Sequence, residues 1–275
     1  MDVLIRAFDP TPPIHRPLIP FPLWVFLPFA AVCLVALVTS RASGPPGMTV
    51  RIVGLPAFHG GMLAASLAAA WEGTSGWGRH ASGVALVLLV ASSACAWMPW
   101  GCLAYLLPPL AVAVCAVGHA ECRRMGLAPP ADWRALGGGV AVGCFLGGHL
   151  LLSASRTFGY PVRLELPAPY LTGVLYDLGA NVLSAECFFR GTLFNRWHRL
   201  WGFWPGALAA TGLCLLRYLG DPALPPTVEV MASAIFYLAL LSLSGCALLW
   251  YSGSLLPSLA ASLLFFSAYR MLHVW

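Results

Sequence analysis

Glu186 and Arg190 stand four residues apart in the stretch SAECFFRGTLFNRW, residues 184–197, within a long apolar run. On a helix this spacing puts acid and base on one face, one turn apart, with the acid first, which is the favourable order. Two chemistries fit. In one, the pair neutralises itself and braces the surrounding helices. In the other, the carboxylate, poised by the guanidinium, activates a water molecule as a general base. A charge inside a membrane span costs about 2.5–3.5 kcal/mol on insertion scales, so a retained charge needs a partner and often has a role.

The same run, YLTGVLYDLGANVLSAECFFRGTLF, also carries Asp177, Asn181 and Ser184. At about 100° per residue these three share one helix face, and Glu186 and Arg190 share the opposite one. The two sets are therefore expected to line separate polar surfaces, with Asp177 and Asn181 as candidate binding residues. Other polar residues in apolar runs are His59, His149, Arg217 and Ser262, with His119 near a run's end. A lone imidazole in a span usually bonds a neighbouring backbone, but three from separate spans have the means to converge. No HExxH or other close-set pair of metal ligands exists, so a zinc protease is not expected, and no metal or cofactor is implied. The serine in GTSG, residues 73–76, mimics a rhomboid-protease motif but falls in a Gly-rich loop.

The elements that must position these residues are apolar helices. The chain has 275 residues, 59% hydrophobic and 9% charged. Soluble domains are nearer 45–50% apolar and about 25% charged, so the composition predicts an all-α, polytopic transmembrane bundle. Spans are expected at roughly 21–39, 52–71, 83–98, 101–118, 135–153, 170–194, 204–219, 230–250 and 255–274, giving eight helices or nine, since the third and fourth are short. Three parts follow: a Pro-rich arm at 1–20, N-terminal spans over 21–165, and a C-terminal group over 166–275. The first apolar run begins after the Pro-rich arm and is long enough to span, so it is expected to remain as a helix rather than leave as a signal peptide. Gly139, Gly143 and Gly147 recur every fourth residue and predict a face where another helix approaches closely.

The net charge is +5, and every basic residue is arginine, as a GC-rich bacterial genome would produce. The arginines are scattered, so no nucleic-acid partner is expected. Their distribution over the loops places the N-terminus and the NRWHRLWG loop on the cytoplasmic side of a bacterial inner membrane. The nine cysteines lack CxxC spacing and are mostly in apolar runs, where they act as small hydrophobes rather than as a disulfide framework.

The C-terminal region, roughly 170–275, resembles the CPBP family, the CAAX-protease and bacteriocin-processing membrane proteins also called ABI proteins. The likeness is carried by AECFFRGTLF, by the Trp-Pro opening of the next helix, and by GSLLPS, which opens the last one. It implies an intramembrane peptidase fold acting on a membrane-associated peptide or protein. The family's first motif is Glu-Glu-x-x-x-Arg, which here reads Ala185-Glu186 with Arg190. Ala185 thus stands where the water-activating Glu is expected, and Glu186 and Arg190 match the supporting pair. The second motif, Phe-x-x-x-His, best matches Leu213 to Arg217, while a one-residue shift gives Cys214 to Tyr218. The third motif's His and Asn fall on Ser262 and Phe266. An alanine moves no proton, arginine is no general base, and phenylalanine stabilises no oxyanion.

The sequence therefore predicts a CPBP-like protein with an eroded site, binding or regulating a membrane-associated client within the lipid bilayer. Two other readings stand beside it. One is a working protease that uses Glu186 with His149 or His59, and the other is an unrelated transporter or scaffold. Arg217 adds a second buried cation, with Glu186 or Asp177 as its candidate counterion. That arrangement would favour an anionic group such as a carboxylate or lipid phosphate.

Overall fold

The computed structural model describes residues 55–70, 77–95, 98, 100–118, 120–130, 132–163, 167–220 and 227–272. The expected first span at 21–39 and the GTSG loop lie outside the described residues. Those described are mostly helical and contain no strand beyond one antiparallel bridge between Val162 and Leu272.

In chain order, α1 is Leu55–Ala70, α2 Trp77–Cys95, and α3 a 3-10 turn, Gly101–Leu106, running into Leu107–Gly118. A short α4, Ala120–Arg124, leads to α5, Arg134–Phe158. The long α6 covers 167–201, α7 Phe203–Leu219, α8 Val228–Ser252 and α9 Leu256–Tyr269. These match the expected runs from 52 onward, with ends displaced by a few residues. The boundaries have local causes. Gly159 (φ 69°) and Gly253 (φ 73°) end α5 and α8 in left-handed conformations that a side chain would strain, and their N–H groups bond back to Ala154 O and Leu249 O. Pro257 occupies the first turn of α9, where its missing N–H costs nothing.

Two of these helices, α5 and α8, are each 25 residues long and apolar enough to cross a membrane. Both turn large apolar side chains outward, among them Phe145 and Leu152 on α5 and Phe236 on α8. The interior instead holds charge: Asp177, Glu186, Arg190 and Arg217 are all buried.

At the centre lies α6, in which every residue from 179 to 195 is buried. Two stretches, Asp177–Val182 and Glu186–Phe194, are π-helical. An i→i+5 turn takes more residues than an α-turn, so side chains rotate less from one residue to the next. This overturns the expectation that Asp177 and Glu186 face opposite ways: both engage the C-terminal helix, Asp177 at its end and Glu186 nearer its start.

The glycine face of α5 packs along α9 as expected. A Cβ on Gly139 would meet the Pro257 backbone, one on Gly143 would lie 2.6 Å from Ala261 O, and one on Gly147 would lie 2.8 Å from Ala268 Cβ. The two helices therefore run in the same direction, backbone against backbone. This contact fixes α9, which supplies half of the site around Glu186.

Candidate functional site

The Glu186 carboxylate is closed on both oxygens. Ser258 Oγ donates to Oε2 at 2.5 Å and Ser262 Oγ donates to Oε1 at 2.6 Å. The two serines are one turn apart on α9, so a single helix face delivers both hydroxyls. Arg190 Nη1 lies 3.5 Å from Oε1, and the same nitrogen contacts Cys214 Sγ at 3.6 Å. All of these groups are buried. Charge-assisted hydrogen bonds of this kind are about twice as strong as neutral ones, which offsets the desolvation of the carboxylate.

Room for the guanidinium comes from Gly245 on α8. A Cβ there would sit 2.5 Å from Ser258 Oγ and 3.2 Å from Arg190 Nε. Arg190 Nε itself is buried without a hydrogen-bond partner among the described residues. Ala185, beside the acid, is buried and offers no polar atom.

Asp177 forms a second centre. Arg270 grips it with two bonds, Nε to Oδ2 at 2.8 Å and Nη2 to Oδ1 at 3.0 Å. Asn181 donates to the same Oδ1 at 3.1 Å and accepts from the Tyr218 hydroxyl at 3.3 Å. Tyr218 in turn stacks on Phe266, the residue at the position expected for an oxyanion-stabilising Asn. Asp177 and Asn181 are thus joined, as the i,i+4 spacing implied, but into a network that holds α6 to α7 and to the end of α9. Ser184 Oγ is buried and takes no part in it.

Arg217 is buried on the last turn of α7, over the Tyr218 ring, with Nη2 at 2.9 Å from His59 Nε2. The expected pairing of Arg217 with Glu186 or Asp177 is not found, because those acids pair with Arg190 and Arg270. His149 does not join either centre. It is exposed on α5, and its Nδ1 lies 2.7 Å from the Tyr237 hydroxyl on α8. Among the described residues no group of three or more potential metal ligands gathers, and the eight described cysteines are free thiols.

The structure therefore unites Glu186, Arg190 and Ser262, and separately Asp177 with Asn181. Ser258 and Arg270 complete these centres and were not singled out as candidates from sequence. The repeat of serine at 258 and 262 was a usable signal for the first. Nothing local pointed to the second, whose partner lies 93 residues away.

Compared with protein-family models, with curated proteins and with solved structures, the chain finds no significant match in any of the three.

The serine contacts have a measurable consequence. Ser262→Ala removes one hydrogen bond to a buried charge and is expected to lower stability by about 1.5–3 kcal/mol. Denaturant unfolding in mixed micelles reads this directly. Ser262→Thr, which keeps the hydroxyl, should recover most of the loss.

Proposed function

We propose that this chain is a multi-pass, CPBP-like protein of a bacterial inner membrane in which Glu186, the one motif carboxylate left, serves as a brace. In this reading it binds a membrane-associated peptide or protein without cleaving it. One observation carries the reading: each oxygen of Glu186 accepts a serine hydroxyl, with a guanidinium alongside and, among the described residues, no imidazole bonded to it. A general base needs a free lone pair aimed at the proton it removes. Here each oxygen already accepts a serine hydroxyl, and Arg190 lies against Oε1, so a substrate water would have to compete with donors from the protein itself. The two nearby candidates for a substitute base are committed elsewhere, His59 to Arg217 and His149 to Tyr237.

Membrane residence is supported by the two long apolar helices, by the outward large hydrophobic side chains, and by charge gathered inside. The full bundle of eight or nine spans, with its N-terminus inside, extends that reading to the remaining apolar runs.

The test is a cleavage assay of the purified full chain, alone and with membrane proteins or lipoproteins encoded beside it, run in parallel with Glu186→Gln. The expected result is no product from either protein, together with co-purification of a co-encoded partner with the wild type. Product that forms with the wild type and vanishes with Glu186→Gln would overturn the proposal.

A further inference from the structure

The two ends of the bundle differ in charge. The start of α5 and the start of α9 lie together, because Gly139 packs on Pro257 and Gly143 on Ala261. Ser254 Oγ donates to Ala128 O and Leu255 N to Gly126 O, which brings the segment after α4 to the same end. Asn195 Nδ2 donates to Arg124 O at 2.7 Å, which adds the last turns of α6. Arg123, Arg124, Arg134, Arg196 and Arg199 therefore gather at one end, against two acids there, Glu121 and Asp132, among the described residues. Arg123 and Arg134 are exposed and the other three half-buried. At the far end are Arg156 and Arg163, with Glu229 and with Arg270, whose guanidinium is taken by Asp177.

The arginine-rich end also carries exposed tryptophans. Trp133 precedes α5, Trp201 closes α6 and stacks on Trp197, and Trp204 opens α7. Indole rings favour the level of lipid headgroups. Arg199 Nε is shielded from solvent and has no hydrogen-bond partner among the described residues.

We infer that this arginine–tryptophan rim is a binding surface for the phosphodiester headgroups of anionic lipids, and that it marks the cytoplasmic end of the molecule. The planar guanidinium fork matches phosphate oxygens, and the tryptophans fix the depth at which those oxygens lie. The inference rests on the membrane reading above. It adds a ligand class that the reading does not supply, on the side already expected for the NRWHRLWG loop, and it is independent of whether Glu186 is a brace.

The experiment is native mass spectrometry of the full chain in nonionic detergent with an equimolar mixture of phosphatidylglycerol and phosphatidylcholine. Each surface arginine near anionic lipid contributes about a fivefold preference. Wild type should retain phosphatidylglycerol over phosphatidylcholine by at least about tenfold, and Arg196→Gln/Arg199→Gln should lower that ratio by about tenfold or more. Arg156→Gln/Arg163→Gln, at the far end, should leave the ratio unchanged. The unfolding midpoint of each variant shows that it is folded, and Arg134→Gln, on an exposed side chain, provides a second variant with a smaller expected loss. Equal retention of the two lipids by wild type would overturn the inference, as would equal loss from variants at both ends. Displacement by excess inorganic phosphate would also overturn it, by assigning the rim to a soluble anion. Extraction of the chain from cells without detergent would instead overturn the membrane reading itself.

Discussion

Glu186→Gln is expected to cut the folded yield sharply, with a loss of about 3–5 kcal/mol, as when one member of a buried ion pair is removed. The substitution keeps size and shape, so packing is not the cause. The amide keeps one weaker acceptor oxygen for one of Ser258 and Ser262, sets an NH2 donor against the other, and leaves the Arg190 guanidinium uncompensated, with its Nε lacking a hydrogen-bond partner among the described residues. Arg190 lies against α8 at Gly245 and against α7 at Cys214, while the two serines belong to α9. One carboxylate thus couples four helices. The loss should appear as reduced monodisperse protein after detergent extraction and as a lowered unfolding midpoint. Replacing both charges, as in Glu186→Gln/Arg190→Leu, should recover much of it, because an apolar pair in that place costs less than a lone cation.

Gly143→Leu is the second large effect, expected to prevent the C-terminal helix from docking. Even the first carbon of a side chain would lie 2.6 Å from Ala261 O and 2.9 Å from Ala261 Cα. Overpacking costs about 1–3 kcal/mol where side chains can move aside, and more where the obstacle is backbone, as here. Gly139→Ala should also be severe, since its Cβ would meet the Pro257 backbone. Gly148→Ala on the same helix faces open space and should be neutral or slightly stabilising, since alanine favours a helix interior by about 0.8–1.0 kcal/mol over glycine. Unfolding midpoints of the three variants separate a specific interface from a general intolerance of substitution. Because α9 brings Ser258 and Ser262 to the acid, loss of this interface should also uncouple Glu186.

Much of this arrangement can be read from local patterns. Runs of apolar residues broken by Gly and Pro locate the helices, and a four-residue glycine repeat marks the α5–α9 contact. The i,i+4 spacing joins Glu186 to Arg190 and Asp177 to Asn181. Ser262 stands out as a polar residue in an apolar run, but nothing in the sequence names Glu186 as its partner. Other features are not legible, for identifiable reasons. The π turns of α6 change the rotation between Asp177 and Glu186, and no residue pattern at that point announces them. Partner choice between helices is a tertiary matter: Arg270 reaches Asp177 and His59 reaches Arg217 across large sequence separations. An arginine with two acids to choose from, as at Arg217, cannot be paired by counting charges. His149 lies on an apolar run, yet it faces outward, since helical spacing alone does not say which side meets neighbours.

Under the proposed reading, the arrangement at Glu186 is one in which the acid holds the fold without doing chemistry. Each oxygen of the carboxylate accepts a serine hydroxyl, and a guanidinium lies beside it. Restoring catalysis would require freeing one oxygen and supplying a second acid–base group. A single substitution at Ala185 supplies only the latter.

The most direct measurement is a double-mutant cycle on Glu186 and Arg190, using Glu186→Gln, Arg190→Leu and the pair, with reversible unfolding in mixed micelles as the readout. The account predicts a coupling of about 3 kcal/mol, each single variant being far less stable than the double variant requires. A coupling near zero, with Glu186→Gln as stable as wild type, would contradict the claim that the acid is held for architecture.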